Sequence, residues 1–554
     1  MTKFVELARV LDSISSTTKR SMKTKLAADF LRLVNPHETS HAALFMSGRI
    51  FAERDQRVLN ISWRGLLNSL SSLMELKDDS ISDVYEGDVG EAIAKLVEEY
   101  GDTRQTTLFS EPLTIDSVWN TAVKISEVKG KGSQKERESL IASLFVEASP
   151  REARYLSALF LGDMRTGLSE GLLAESIAVA FEIDPKIVRR AWSFIGDLGE
   201  VARLAVQGGS DALIEVRFQL MHPMKPMLAS PAEDASSILE NESQYSFEMK
   251  LDGARVQIHK QGSNVKIFSR RLLDVTESLP DIVALILDNV TARSVVFDGE
   301  VLAVDEYGKP YPFQVVMTRF GRTRDVEHQD TKLKLVLFDI LLLEERNLVD
   351  RPYTERRVNL EEVVPAEFLI DRLVSNNVDD VNKFFRKSRE LGHEGLVAKS
   401  LDSLYEPGVR GKHWFKIKHT LDTMDLVIIA AEWGHGRRSK WLSDYHLAVR
   451  DENTGEFVMI GKTYKGLTDV EFENMTEDLK KLELSSKRGL VKVKPEKVVE
   501  VLAAEIQESP TYSSGYALRF ARIINIREDK GPEDVMTLGE LEKIFEEQFR
   551  YKAR

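Results

Sequence analysis

At MHPMKPMLASP, Met221–Pro231, the apolar residues change from helical to alternating spacing. Before this segment, Phe4, Leu7, Leu11 and Ile14 stand at i, i+3, i+7 and i+10, one stripe on a helix. Leu140, Leu144 and Tyr155–Leu161 look similar, and β-branched alternation is scarce. After it, Val256 and Ile258 alternate with Arg255, Gln257 and His259, while VVFDGEVLAV and LKLVLFDILLL are strand-like runs. Pro223, Pro226 and Pro231 punctuate the chain at the change, which places a linker or domain boundary near 222–232. A helical pattern at Val381–Leu391 makes the following region α+β. From residue 424, DLVIIAAEWG, YHLAVRD, FVMIGKTY and VVEVLAAEIQ are short strands of a small barrel. Leu538, Leu541, Phe545 and Phe549 then fall at helical spacing behind the capping-box pair Thr537 and Glu540.

The expected fold class is therefore multidomain: an all-α region over 1–225, an α+β domain over 232–419, and an all-β domain with a terminal helix over 420–554. The 554 residues agree, since domains average roughly 150 residues. Zero cysteines exclude a disulfide scaffold, a thiol nucleophile and cysteine-ligated zinc or iron–sulfur sites. Glu6 and Arg9 interrupt the opening residues, so no signal peptide is read there. Leu333–Leu343, broken by Lys334 and Asp339, is far shorter than the ~20 residues that span a bilayer. No membrane partner and a cytoplasmic, intracellular location are expected. The net charge of −13 alone argues against nucleic acid, but local basic clusters matter more in a chain this long.

The most informative octapeptide is EMKLDGAR, Glu248–Arg255. Lys250 stands between Met249 and Leu251, just before the turn dipeptide Asp252-Gly253. Apolar flanks and a nearby cation such as Arg255 would disfavour its charged form and make the amine a nucleophile. A surface lysine ahead of a hairpin is a serious competitor on this octapeptide alone. Further along, Ser269-Arg270-Arg271 lies at a strand end, and Phe297-Asp298-Gly299-Glu300 puts a carboxylate just past a tight turn, inside a strand. Phe338-Asp339 lies in an apolar strand, and Glu394–Lys399 supplies a second carboxylate and another lysine. In WFKIK, Lys416 and Lys418 share one strand face while Phe415 and Ile417 pack on the other. Two lysines beside carboxylates able to hold a divalent ion describe a polyphosphate site.

Six such pieces in this order resemble the ATP-dependent DNA ligases of archaeal and eukaryotic type, within the covalent nucleotidyltransferase superfamily. The resemblance covers essentially the whole chain and includes LRFARIINIREDK, Leu518–Lys530, ending in Arg527, Asp529 and Lys530. It departs at Ala521, where proline is expected. The resemblance implies a helical DNA-binding domain, an adenylation domain and an OB-fold domain. It further implies that Lys250 attacks the α-phosphate of ATP and holds AMP. Phe338 would stack on adenine, Glu248 would lie at the adenine edge, partly through its backbone, and Glu300 would bind ribose. Arg255, Arg270, Arg410, Lys416 and Lys418 would steer phosphates, and Arg519, Arg522 and Lys530 would orient the pyrophosphate. Glu394, with Glu300 and Asp252, would hold Mg²⁺. AMP would pass to the 5′-phosphate of a nick in duplex DNA, and the 3′-OH would then expel it, as replication, repair and recombination require.

For the helical front region the resemblance implies a DNA-binding domain that closes a ring around the nick, and a monomer is expected. Lys19, Arg20, Lys23 and Lys25, then Lys129, Lys131, Lys135 and Arg137, then Arg165 are its basic clusters; each also reads as a solvated face. The loop Gly434–Lys440 could track nucleic acid or be a plain hairpin loop. The tail helix is expected to pack between domains and favour a closed or resting arrangement. Gln105, Leu108 and Phe109, in the acidic stretch VEEYGDTRQTTLFSEP, resemble a shortened sliding-clamp-binding box; anchoring of the loop to the helical core is the alternative. The competing functions are an RNA-end-joining or capping-type nucleotidyltransferase, which needs no helical front region, and a non-catalytic DNA-binding protein. An NAD-dependent ligase is disfavoured, because that family carries a four-cysteine zinc element.

Overall fold

The computed structural model describes residues 1–74, 76, 88–101, 112–146, 148–240, 244–320, 331–418, 421, 423–434, 438, 440–487, 489–548 and 552. From Phe4–Ser15 to Leu198–Ile214, the described residues up to 214 are helices and their connections. The first shows why: Phe4, Leu7, Leu11 and Ile14 are all buried, each worth about 1.5–3 kcal/mol of transfer free energy. The helix Pro150–Leu161 starts at a capping box between Ser149 and Glu152 and ends at Gly162, whose φ of 70° admits glycine readily. Leu198–Ile214 is two helices joined across a kink at Gly209.

The central domain is two five-stranded sheets. One comprises β1 (Leu228–Pro231), β2 (Tyr245–Lys250), β8 (Arg372–Ser375), β9 (Gly395–Ser400) and β10 (Arg410–Lys418), in the order β1-β10-β9-β2-β8. The other comprises β3 (Ala254–Gln261), β4 (Asn264–Ser269), β5 (Ser294–Val304), β6 (Lys332–Leu343) and β7 (Arg346–Asn347), in the order β4-β3-β5-β6-β7. The second sheet is thus a continuous insert between β2 and β8 of the first. β1 lies inside the Pro-punctuated segment and pairs in parallel with β10.

Asp298-Gly299 is not the expected turn; both residues are interior to β5. Pairing with β3 on one side and β6 on the other overrides the local turn preference, and a bulge against β6 accommodates Gly299. A Cβ there would lie 2.7 Å from Leu337 Cδ2.

The C-terminal domain is strand-rich, as an OB-fold domain should be. Its sheet runs β13 (Phe457–Thr463), β12 (Leu442–Arg450), β11 (Met424–Trp433), β15 (Leu490–Val493), β14 (Glu483–Lys487). β16 (Val498–Leu502) joins β11 to β19 (Arg522–Ile526), and β17 (Glu505–Glu508) pairs with β18 (Tyr516–Arg519). The helix Asp469–Lys481 closes one side of the core with Phe472, Met475 and Leu479. The tail helix Leu538–Gln548 begins at the expected box, with Thr537 N donating to Glu540 Oε2 at 2.8 Å and Glu540 N to Thr537 Oγ1 at 3.2 Å. No helix among the described residues is long and apolar enough to cross a membrane.

Candidate active site

Lys250 is the last residue of β2, and Leu251–Gly253 carries the chain into the other sheet. β2 and β3 do not pair, so the hairpin reading of Lys250 fails. The crossing needs glycine: a Cβ on Gly253 would meet Val301 O at 2.5 Å and Glu300 Cγ at 2.9 Å. Gly253 N also donates to Glu300 Oε1 at 3.1 Å, tying the crossing to the second sheet. On the other flank, Lys250 and Lys418 both pair with Gly395, which brings them together at the neighbouring Glu394. A side chain at Gly395 would strike Ile417 O, 2.2 Å from its Cβ.

Glu394 Oε2 lies 2.6 Å from Lys250 Nζ and 2.7 Å from Lys418 Nζ. One carboxylate oxygen is thus shared between two ammonium groups. The expectation of a depressed Lys250 pKa is overturned. Burial works to lower it, but Glu394, Glu300 and Asp252 outweigh burial and raise it above the ordinary lysine value. Burial would also raise Glu394, yet Lys250 and Lys418 hold it down at about 2. Burial wins at Glu300, pushed up to about 7 against Lys250 and Arg255. The resting lysine is therefore an ammonium clasped by carboxylate.

The two sheets meet over a buried polar layer. Lys399 Nζ lies 2.7 Å from Glu248 Oε2, and the Tyr353 hydroxyl donates to Glu248 Oε1 at 2.6 Å. Lys399 also sits 4.6 Å from the centre of the half-buried Phe338 ring. Arg255 grips Asp298 with Nε at 2.9 Å and Nη2 at 2.6 Å, and Nη1 donates to Met227 O at 2.8 Å. Asp298 accepts a further bond from the Tyr405 hydroxyl at 2.6 Å. Beside it, Asp339 is gripped by Arg356 at 2.8 and 3.0 Å. Arg255 is thus engaged in this layer, and so is the Glu248 carboxylate. Tyr353, Arg356 and Tyr405 were missed altogether, because nothing local in the sequence distinguishes a buried tyrosine or arginine from a surface one.

Above the layer the site is cationic. Burial lowers the Lys416 pKa, and repulsion from Lys418, Arg410, Lys250 and Arg270 lowers it further. Arg270 is lowered by burial and then by Arg255 and Arg410. Cations that repel one another this way form a place for an anion. Arg270, Arg410, Lys416 and Lys418 converge as the sequence implied.

The C-terminal residues converge less. Lys530 lies 2.5 Å and Arg527 3.0 Å from Asp425 on β11, so Lys530 is held within its own domain and not at Lys250. Arg519 lies 3.3 Å from Glu505 and over the Phe313 ring of the central domain at 5.7 Å. Arg522 is exposed on β19. Asp252 is buried against Lys552 of the tail, where it is an ion-pair partner and not an open metal ligand. Gln548 anchors that tail, accepting from Ile506 N at 2.8 Å and donating to Ile506 O at 2.7 Å.

In the helical region, Lys129, Lys131 and Lys135 are exposed, whereas Lys23 is buried and donates to Thr166 O at 2.5 Å. Lys23 therefore leaves the expected solvated cluster and pins the 162–167 loop. Arg137 donates to Val128 O at 2.7 Å, and Arg165 pairs with Asp163 at 2.7 Å. Gln105, Leu108 and Phe109 lie outside the described residues, as do positions 435–437 and 439 of the basic loop. Arg438 of that loop is turned onto Phe472, 4.3 Å from the ring centre.

Among the described residues no three His, Cys, Asp or Glu side chains group as a metal-binding set. Glu300 and Glu394 nonetheless fit Mg²⁺, which takes one or two carboxylates and completes its shell with substrate phosphates and water. Glu300, reluctant to ionise in its buried position, is a carboxyl that such a cation would keep ionised.

A half-buried lysine held by a carboxylate, under a cationic face and at the seam of two sheets, is the arrangement that a lysine nucleotidyltransferase needs. Three family models match the chain: a DNA ligase N terminus over 3–178, an ATP-dependent DNA ligase domain over 226–418, and an ATP-dependent DNA ligase C-terminal region over 438–530. A DNA ligase of Thermococcus onnurineus (strain NA1) is 40% identical, covering 100% of this chain and 99% of its own. DNA ligase 1 of Korarchaeum cryptofilum (strain OPF8) is 42% identical, covering 98% of each. Among solved structures, one titled Pmar-Lig_PreS3 shares the fold over 94% of this chain and 99% of its own, with a TM-score of 0.55 and 16% identity. The chain belongs to the ATP-dependent DNA ligase family.

Proposed function

We propose that Lys250 is the nucleophile of a nick-sealing cycle on duplex DNA. The Lys250 ammonium first gives one proton to solvent; the amine then attacks the α-phosphorus of ATP, the N–P bond forms, the bond to pyrophosphate breaks, and the nitrogen sheds a second proton, leaving a phosphoramidate N–H. The 5′-phosphate at the nick then takes AMP from Lys250, and the adjacent 3′-OH displaces AMP to close the phosphodiester. The observation that carries this reading is the ammonium of Lys250, held 2.6 Å from Glu394 beneath Lys416, Lys418, Arg410 and Arg270. Phosphoryl transfer asks for in-line placement and charge neutralisation, which these cations supply by drawing the triphosphate over Lys250. Phe338 offers its half-buried ring to adenine and Glu300 its carboxylate to ribose, while Arg255 and Glu248 act by fixing the layer below. Mg²⁺, held by Glu300 and Glu394 with the substrate phosphates, would neutralise charge on phosphate and carboxylate alike. Arg519, Arg522 and Lys530 would reach the pyrophosphate after the C-terminal domain turns toward the site. Wild type should take label from α-phosphate-labelled ATP and lose it on a chase with nicked duplex. Label that stays on the protein, with intact nicks, would overturn the reading.

The clasped ammonium gives a signed pH expectation. Removing the Glu394 charge disfavours the ammonium, so the amine appears at lower pH. In Glu394→Gln the rising limb of the self-adenylylation rate should move down by roughly 1–3 pH units, the size of one close opposite charge. A limb that stays in place or moves up would take Glu394 out of control of that proton.

The finer partners follow the same reading: a monomer in the cytoplasm, with a sliding clamp docked through Gln105, Leu108 and Phe109. Two apolar residues in so polar and acidic a stretch suit a docking plug. Leu108→Ala/Phe109→Ala should lose capture by the clamp and keep nick sealing; capture at wild-type level would remove this partner.

A further inference from the structure

The segment between the helical region and the first sheet is a splint gripped along its length by the central domain. Met221 N donates to His259 Nδ1 at 3.0 Å. Met224 N donates to Gln257 Oε1 at 2.9 Å, and Gln257 Nε2 donates back to Met224 O at 3.2 Å. Met227 N donates to the Tyr405 hydroxyl at 3.1 Å, and Met227 O accepts from Arg255 at 2.8 Å. Leu228 N donates to Val409 O at 3.0 Å. Met224 and Met227 are fully buried. Every tie falls on the β3 strand that follows the lysine loop or on the Tyr405–Val409 stretch before β10.

From the middle of this splint one side chain faces the other way. Lys225, 15% exposed, places its ammonium 2.7 Å from Glu170 Oε2 and 3.1 Å from Glu53 Oε2. It also lies 4.6 Å from the centre of the Trp192 ring. All three partners belong to the helical region, and Arg49 braces the same two carboxylates at 3.2 and 3.5 Å. A carboxylate pair that needs two cations, one of them supplied by the splint, makes a connection with a definite geometry. Lys225, the least exposed member of the cluster, is screened less than a surface lysine would be. The loop carrying Glu53 makes a further contact: Gln56 Oε1 accepts from Asp274 N at 2.9 Å, and Gln56 Nε2 donates to Leu272 O at 3.3 Å.

We infer that Lys225 is a positioning residue that sets the helical region at a fixed angle to the adenylation site, so that DNA held by one is presented to the other. Lys225 touches neither nucleotide nor the Lys250 cluster; it acts through Glu53, Glu170 and Trp192. Steps that use DNA depend on it, and the step that uses ATP alone does not. The inference rests on the proposed ligase cycle, in which the helical region holds the duplex.

The test separates the steps in the full-length protein. Lys225→Ala should self-adenylylate within about twofold of wild type. Pre-adenylylated Lys225→Ala should then bind nicked duplex and transfer AMP to it roughly five- to twentyfold less well, the range of an ordinary coupling between sites. Lys225→Arg should restore most of the transfer. Glu53→Gln/Glu170→Gln should show the same split from the other side and add little to Lys225→Ala. Equal transfer by Lys225→Ala and wild type would overturn the inference, as would parallel loss of self-adenylylation, which would make Lys225 a fold residue. A wild type that adenylylates itself but passes nothing to the nick would sink the ligase cycle and this inference together.

Discussion

Lys250→Ala is expected to carry no label from α-phosphate-labelled ATP under conditions that label wild type fully. The loss should be complete, because no neighbouring group can take the place of the amine. Lys416 and Lys418 are close, but they project from β10 into the cationic face, and Lys418 is itself tied to Glu394 at 2.7 Å. Lys399 lies 2.7 Å from Glu248 in the buried layer. The decisive companion is a pre-adenylylated nick: Lys250→Ala should still close it measurably, since that last step needs placement and no nucleophilic lysine. Label on Lys250→Ala would move the nucleophile elsewhere. Failure on pre-adenylylated nicks, with folding intact, would mean that Lys250 also serves the closing step.

The largest effect on stability should come from Asp339→Asn. Asp339 and Arg356 are 1% and 0% exposed, joined at 2.8 and 3.0 Å, and Arg356 further donates to Arg351 O at 2.7 Å and Ser403 O at 2.9 Å. Removing one charge leaves the other buried without its counter-ion, which costs about 3–5 kcal/mol. The midpoint of urea unfolding, followed by central-domain fluorescence, should fall accordingly. Arg356→Met placed on Asp339→Asn should recover much of the loss, because an apolar side chain needs no counter-charge. A midpoint unchanged in Asp339→Asn would show that the pair contributes nothing net; additive losses in the double variant would show that the two residues act separately.

The chemistry-bearing residues were legible because their types and order are demanding: a lysine before Asp-Gly, paired carboxylates, and an alternating WFKIK strand. Their electrostatics were not. Met249 and Leu251 beside Lys250 suggested a neutral amine, but its proton is governed by Glu394 and Glu300, which reach it from strands far along the chain. Asp298-Gly299 read as a turn because two residues carry the turn signal alone, whereas strand pairing on both sides decides the outcome. Lys23 read as part of a solvated cluster; only the packing of helices reveals that its ammonium meets Thr166. Arg356, Tyr353 and Tyr405 gave no signal, since burial of a polar side chain is a tertiary property. The helical and strand-rich regions, by contrast, follow from periodicity, which is local.

The nesting of one sheet inside the other has a consequence for how the catalytic apparatus is distributed along the covalent chain. Lys250 and Glu394 belong to the outer sheet's stretch of sequence, while Glu300 and Phe338 belong to the insert, which opens directly after Gly253. The set is interleaved: outer, inner, outer. No contiguous fragment ending before Glu394 can contain both carboxylates, and none beginning after β2 can contain the lysine. The reacting groups are therefore not the property of either sheet by itself; they exist only where the parenthesis has closed.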